Sequence, residues 1–193
     1  PRHSFRHQPR PVCLRDRFET CVIESKNILF WPYHLARLNK GCEKLGIGTI
    51  DESFWLSDIR KALAISRLHN AVVKIILSRG ETLRGYGFED DIKPVRIVIV
   101  AEMFKTTPRQ NLTLDFCDSG YASNPKLAGI KHCNRLEQIL ARVDLKGDEG
   151  IMLDEDGDII SVTQGNIFSI YANTLHTPRL DKCGIEGTRR AII

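Results

Sequence analysis

No two cysteines of this chain form a C-x-x-C pair, and no apolar run approaches the length of a bilayer span. Cys13, Cys21, Cys42, Cys117, Cys133 and Cys183 are scattered, so their spacing suggests neither a zinc site nor a disulfide framework. With no apolar signal segment at the start, they read as reduced thiols of a soluble, cytoplasmic protein. The longest apolar runs, such as Ile97 to Ala101, have only the length of a strand. Low-complexity tracts and internal repeats are absent. Most of the chain also lacks a surplus of either charge. The net +4 lies in residues 1–17, which hold five arginines against one acid; the other 23 basic and 23 acidic residues cancel. A basic terminal segment alone does not argue for a nucleic-acid partner.

What the chain does have is 193 residues at 42% hydrophobic, enough for a buried core. TCVIES and ILFW flank Lys26-Asn27 and predict a hairpin. In the helix expected next, Leu35, Leu38, Cys42 and Leu45 recur at helical spacing, which leaves His34, Arg37 and Lys44 to other faces. Asp51 is placed to cap a second helix that buries Trp55, Ile59 and Leu63. AVVKIILSRG from Ala71 and PVRIVIVAEMF from Pro94 read as strands around the loop ETLRGYGFEDD, and NLTLDF from Asn111 as a third. Together they predict a compact α+β unit ending near residue 117. The turn formers of DSGYASNPK, Asp118 to Lys126, predict a linker.

Beyond it, a helix is expected from His132 to about Leu145, with Leu136, Ile139, Leu140 and Val143 on one face. The rest is β-rich: EGIML and DIISV flank an acidic turn, NIFSIY follows, and TLHTP closes another hairpin. A last helix begins near Gly184. The acidic turn DEDGD, Asp154 to Asp158, starts like a calcium loop, but the glycine and glutamate such a loop needs are replaced by Ile159 and Gly165, so a tight Asp-Gly hairpin is expected and no metal. RGYGFEDD lacks the third glycine of a dinucleotide fingerprint. In KCGIEGTRR, by contrast, Gly184 and Gly187 allow close approach of a ligand to a helix start, which suits a phosphate. Lys131, taken by itself, reads as a solvated lysine before a helix.

Four segments taken together change that reading. HLARL (34–38), LAGIKHCNRLEQIL (127–140), TQGNIF (163–168) and TPRLDKCGIEG (177–187) resemble, in order and spacing, the fold-type IV pyridoxal-phosphate enzymes, the class-IV aminotransferase superfamily. Among its branches, which include branched-chain and D-amino-acid aminotransferases, LAGIKHCNRLEQIL is most similar to the aminodeoxychorismate lyases. The resemblance implies a two-domain α+β fold like that of D-amino-acid aminotransferase, usually in a homodimer. An unmatched basic segment 1–17 would precede an N-terminal domain 18–117, a linker 118–126 and an incomplete C-terminal cofactor-binding domain 127–193. It also implies residue roles: Lys131 as the Schiff-base lysine and acid/base of pyridoxal 5′-phosphate, Arg37 and the N–H groups of Ile185 and Glu186 at its phosphate, Ser161 at the pyridine nitrogen, and Asn166 in the N-I-F motif. Arg84 and Tyr86 would border the substrate. The implied reaction is conversion of 4-amino-4-deoxychorismate to 4-aminobenzoate and pyruvate, with a small-molecule substrate and neither nucleic acid nor membrane as partner.

The sequence departs from the family pattern in three places. Ser161 stands where the family has a glutamate that pairs with the pyridine nitrogen; exchanging a charge-assisted bond for a neutral one forfeits about 1.5–3 kcal/mol, roughly one to two powers of ten in rate. CLRDRFET replaces a Gly-rich Y-G-D-G segment before F-E-T. The family's further β-structure after the last helix has no counterpart here, which leaves apolar partners expected on the surface. Within the family an aminotransferase is the alternative activity; outside it, a non-catalytic remnant or a partner for a full-length homologue.

Overall fold

The structure, a computed structural model, describes residues 12–13, 16–82, 87, 92–103, 111–143 and 145–193. In chain order the elements are β1 (Val12–Cys13), β2 (Arg17–Glu24), β3 (Asn27–Ile28), α1 (Trp31–Leu45), α2 (Glu52–Ser66), β4 (Ala71–Ser78), β5 (Glu81–Thr82), β6 (Val95–Glu102), β7 (Leu114–Phe116), α3 (Leu136–Ala141), β8 (Glu149–Leu153), β9 (Ile159–Val162), β10 (Ser169–Tyr171), β11 (Thr174–His176) and α4 (Thr188–Ile192). Among the described residues no helix is long and apolar enough to cross a membrane.

The first sheet has the order β3-β2-β4-β6 and is antiparallel throughout. Strand alternation places Cys21, Ile23, Val73, Ile75 and Leu77 on one face, buried against Trp31, Leu38 and Cys42 of α1 and Trp55 and Ile59 of α2. The opposite face presents Phe18 and Thr20 of β2, with Lys74 of β4 directly across from Thr20. Asp51 caps α2 as expected, accepting the Ser53 N–H at 2.8 Å. The β2–β3 hairpin turns at Ser25 and Lys26, both at positive φ, one residue earlier than the Lys26-Asn27 turn expected. Two consecutive left-handed residues match the twist of the strands they join.

NLTLDF does not extend that sheet. As β7 it pairs in parallel with β8, which pairs antiparallel with β9. Among the described residues the first sheet therefore ends with β6. Nor is Asp118 to Lys126 a free tether: Tyr121 N–H donates to Leu153 O and Asn124 N–H to Lys182 O, both at 2.8 Å. Tyr121 is buried with Ala141, Met152, Ile160 and Cys183 in a second, smaller core. At the acidic turn, the Asp154 carboxylate accepts N–H groups from Asp156 and Asp158, which closes a hairpin around Gly157 at positive φ.

The helix expected from His132 covers only Leu136–Ala141. Residues 131–133 are engaged elsewhere: Phe18 N–H donates to Lys131 O, Cys133 N–H donates to Asp16 O, and His132 bridges to Arg17. Pairing with the start of β2 holds them extended. The helix then buries Gln138 and Ala141, while Leu136, Ile139, Leu140 and Val143 are 58–68% exposed. The apolar stripe expected on one face is therefore a surface face, because the side carrying Gln138 and Ala141 is the one turned inward.

Candidate active site

Strand alternation that sends Cys21 and Ile23 into the core also sends Arg17 and Glu19 there. Glu19 is 0% exposed, and an unpaired carboxylate at that depth would be costly. Two residues of α1 match it. Arg37 donates from Nε to Oε1 at 2.8 Å and from Nη2 to Oε2 at 2.5 Å, and His34 Nδ1 stands 2.8 Å from Oε2. Burial pushes the Glu19 carboxyl up, but the bonds from Arg37 and His34 outweigh it and hold the group below the usual carboxylate range. His34, left outside the core by the apolar periodicity, is in fact buried, because Glu19 supplies its partner.

Arg37 also donates from Nη1 to Glu186 O at 3.0 Å, joining α1 to the turn before α4. That turn is clamped by Asn166, which donates to Ile185 O and accepts the Gly187 N–H, each at 2.9 Å. A Cβ at Gly187 would fall 2.1 Å from Asn166 Oδ1, so only glycine allows the clamp to close. Gly129 lies alongside, donating to Gly184 O and accepting from Glu186 N–H.

Between these walls lies a cavity of about 580 Å³. Phe18 and Thr20 line it from β2, His34 and Arg37 from α1, and Ser161 from β9; Gly187, Thr188 and Arg189 come from the start of α4. Lys131 projects from the extended segment, with Tyr121, Arg135 and Gln138 beside it. Burial, followed by the Arg37, Arg135 and Lys74 charges, lowers Lys131 from the ordinary 10.5 to about 8, even though Glu19 pulls the other way. Burial and the Arg135 guanidinium likewise push His132 down to about 4. In the same lining, Tyr121 Oη and Ser161 Oγ are 2.9 Å apart, and Ser161 Oγ donates to Val162 O. The buried amide of Gln138 has neither Oε1 nor Nε2 bonded among the described residues, and Arg135 Nε is likewise unmatched. No aspartate or glutamate is among the described residues lining the cavity.

Of the residues singled out from the sequence, Lys131, Arg37, Ser161, Asn166 and Ile185 meet at this cavity. Glu186 does not line it. Its N–H is taken by Gly129 O and its carboxylate by Lys40 Nζ at 2.6 Å, so the donor expected at 186 is already engaged. Arg84 and Tyr86 lie outside the described residues. Phe18, Glu19, His34, Tyr121, Arg135 and Gln138 were not anticipated. For Glu19 the sequence holds only an ambiguous signal, an acid alternating with Cys21 and Ile23 on a strand whose pattern leaves the buried side open.

A family model described as amino-transferase class IV matches residues 17–193. Among curated proteins, an aminodeoxychorismate lyase of Vibrio harveyi is 27% identical over 180 residues, covering 90% of this chain. The chain spans 65% of the length of that relative. Among solved structures, a 4-amino-4-deoxychorismate lyase from Pseudomonas aeruginosa superposes with a TM-score of 0.81 at 34% identity, over 92% of this chain and 67% of the other. The branched-chain amino acid aminotransferase of Escherichia coli superposes with a TM-score of 0.82 at 16% identity, over 92% and 63%, and at that identity shows the shared fold alone.

Proposed function

The chain belongs to the amino-transferase class IV family, with its fold-type IV α+β architecture, and on that premise we propose that it is a pyridoxal-phosphate-dependent lyase converting 4-amino-4-deoxychorismate to 4-aminobenzoate and pyruvate. The observation that carries this reading is Lys131: a desolvated amine with its pKa lowered to about 8, set in a cavity among Arg37, Arg135 and Arg189.

The residues present fit the cofactor. A cavity of about 580 Å³ is of the size that encloses a small organic ligand. Its basic lining suits a phosphate dianion, and the orphaned polar atoms of Gln138 and Arg135 call for a polar occupant. Arg37 and the start of α4 would hold the phosphate, Lys131 would bond to the aldehyde carbon, and Ser161 would face the ring nitrogen. When bound, pyridoxal phosphate supplies an electron sink.

Lys131 Nζ does the proton work. Once the substrate's C4 amine has replaced it at the aldehyde carbon, Lys131 as a neutral amine would take the proton from C4, the bond between C3 and the enolpyruvyl oxygen would break, and the ammonium would return its proton to the departing group. Atoms balance as 4-aminobenzoate plus pyruvate, with no water or oxidant consumed. Arg37 keeps its orientation because Glu19 holds the Nε and Nη2 edge of its guanidinium and Glu186 O accepts from Nη1.

The test is direct. The purified chain mixed with pyridoxal 5′-phosphate is expected to show a visible absorbance band that Lys131→Ala lacks, and to release 4-aminobenzoate and pyruvate in equal amounts from aminodeoxychorismate. Amino transfer to a 2-oxo acid without pyruvate release would assign the aminotransferase reaction instead. Identical spectra for wild type and variant would remove Lys131 from its role.

A further inference from the structure

We propose that Tyr121 and Ser161 form a neutral donor chain that ends on the cofactor's ring nitrogen and holds it unprotonated. This rests on the cavity being the pyridoxal-phosphate site. In that cofactor the aldehyde carbon and the ring nitrogen lie para to each other, so the nitrogen points away from Lys131. On the proposed reading the phosphate is held by Arg37 and the start of α4 and the nitrogen faces Ser161, whose buried hydroxyl is bonded to that of Tyr121.

Proton accounting gives the pair a direction. Ser161 Oγ now donates to the neighbouring Val162 O, so the bond to Tyr121 is one that Tyr121 donates. When an acceptor nitrogen arrives, the Ser161 proton turns from that carbonyl to the nitrogen, while Tyr121 continues to donate to Ser161. Each link polarises the next. Neither hydroxyl is charged before or after it donates, so nothing in the chain stabilises a pyridinium.

The surroundings oppose a pyridinium as well. Arg37, Lys131, Arg135 and Arg189 line the cavity, and no carboxylate does so among the described residues. Glu19, whose charge is felt at Lys131, is already matched by Arg37 and His34. The phosphate dianion would offset these cations, but the described lining offers no carboxylate to pair with a pyridinium.

The experiment is 15N NMR of the chain loaded with ring-15N pyridoxal 5′-phosphate, with circular dichroism confirming that each variant is folded. Wild type is expected to resonate at the position of unprotonated pyridine at neutral pH, and Ser161→Glu to move to the pyridinium position. Ser161→Ala and Tyr121→Phe should shift the signal through loss of the hydrogen bond, and Ser161→Thr, which keeps the hydroxyl, should not. A pyridinium resonance in wild type would overturn the proposal, as would a signal indifferent to both Ser161→Ala and Tyr121→Phe. If no bound resonance and no visible band form at all, the cofactor reading itself fails, an outcome distinct from a bound but protonated nitrogen.

Discussion

The ammonium of Lys131 lies 4.4 Å from the centroid of the Phe18 ring, and that of Lys74 lies 4.7 Å from the same centroid. One aromatic ring thus supports two cations on the cavity side of the first sheet. The ring favours the charged form of Lys131, whereas burial and the neighbouring cations favour the neutral one and prevail.

The first prediction concerns Lys131 and pH in the cofactor-free protein. Its pKa is lowered from 10.5 to about 8 on folding, so between those values the unfolded chain holds a proton that the folded chain has released. Stability should therefore rise as pH increases through that window. Urea unfolding at a series of pH values checks this, and Lys131→Met should flatten the rise. A wild-type profile no steeper than that of Lys131→Met would refute the assigned shift.

A second prediction separates the ring from the burial. Phe18→Leu keeps an apolar cover but removes a cation–π contact of about 0.5–1 kcal/mol, equivalent to less than about one pH unit. The pH midpoint of Lys131 labelling by an amine-selective reagent should move down by that amount. A move upward would mean that Phe18 acts mainly by excluding water.

Glu19 yields the third prediction. Glu19→Gln leaves Arg37 and His34 without their buried carboxylate, and breaking a buried pair from one side costs about 3–5 kcal/mol. The wild-type carboxyl is held below its ordinary value, so the stability it contributes is present above the unfolded carboxylate pKa and lost as pH falls through the lower folded value. Denaturant melts should show a large loss for Glu19→Gln at neutral pH that narrows toward acid. An equal loss at every pH would mean that packing, and not charge, is what Glu19 supplies.

These residues also mark how far the sequence could be read. Lys131 and Arg37 were legible because motif spacing survives in the chain, and the existence of α1, α2 and β4 because their periodicities are strong, whereas β2, expected from Thr20, begins at Arg17. Glu19 was not, since the strand pattern Arg17, Glu19, Cys21, Ile23 mixes charged with apolar residues on one face and leaves open which side is buried. The segment 132–135 departs from the expected helix for another reason: its helical pattern is genuine, but backbone bonds that tie 131–133 to Asp16 and Phe18 override it. In α3 the spacing correctly marked an apolar stripe, and only tertiary structure could reveal that Gln138 faces inward instead.

The fourth prediction sets Arg17 against Gly41. The Arg17 guanidinium is fully buried and donates to the carbonyls of Leu38 and Arg37, while its Nε is unmatched among the described residues. Burial lowers its pKa. Replacing a buried charge that lacks a bonded carboxylate with an apolar side chain of similar length is expected to stabilise, by about 1–4 kcal/mol for Arg17→Met. Gly41 leaves room for that guanidinium, since a Cβ there would fall 2.0 Å from Arg17 Nη2. Gly41→Ala should therefore destabilise wild type despite the roughly 1 kcal/mol of helix propensity it gains. In the Arg17→Met background the cost should shrink or reverse. Additive effects in the double-mutant cycle would show that the two sites do not share this space.

The last prediction follows from the exposed stripe of α3. Leu136, Ile139, Leu140 and Val143 form a contiguous apolar surface on the opposite side of the helix from Gln138. Exposed patches of this kind drive self-association. Ile139→Lys with Val143→Lys interrupts the stripe without touching the cavity lining, because neither residue contributes to it. Light scattering should show less association in the double variant, with circular dichroism unchanged. If association persists undiminished, other exposed residues such as Ile170 and Tyr171, each 77% exposed on the β10–β11 hairpin, become its source, and the same exchange made there decides between the two surfaces.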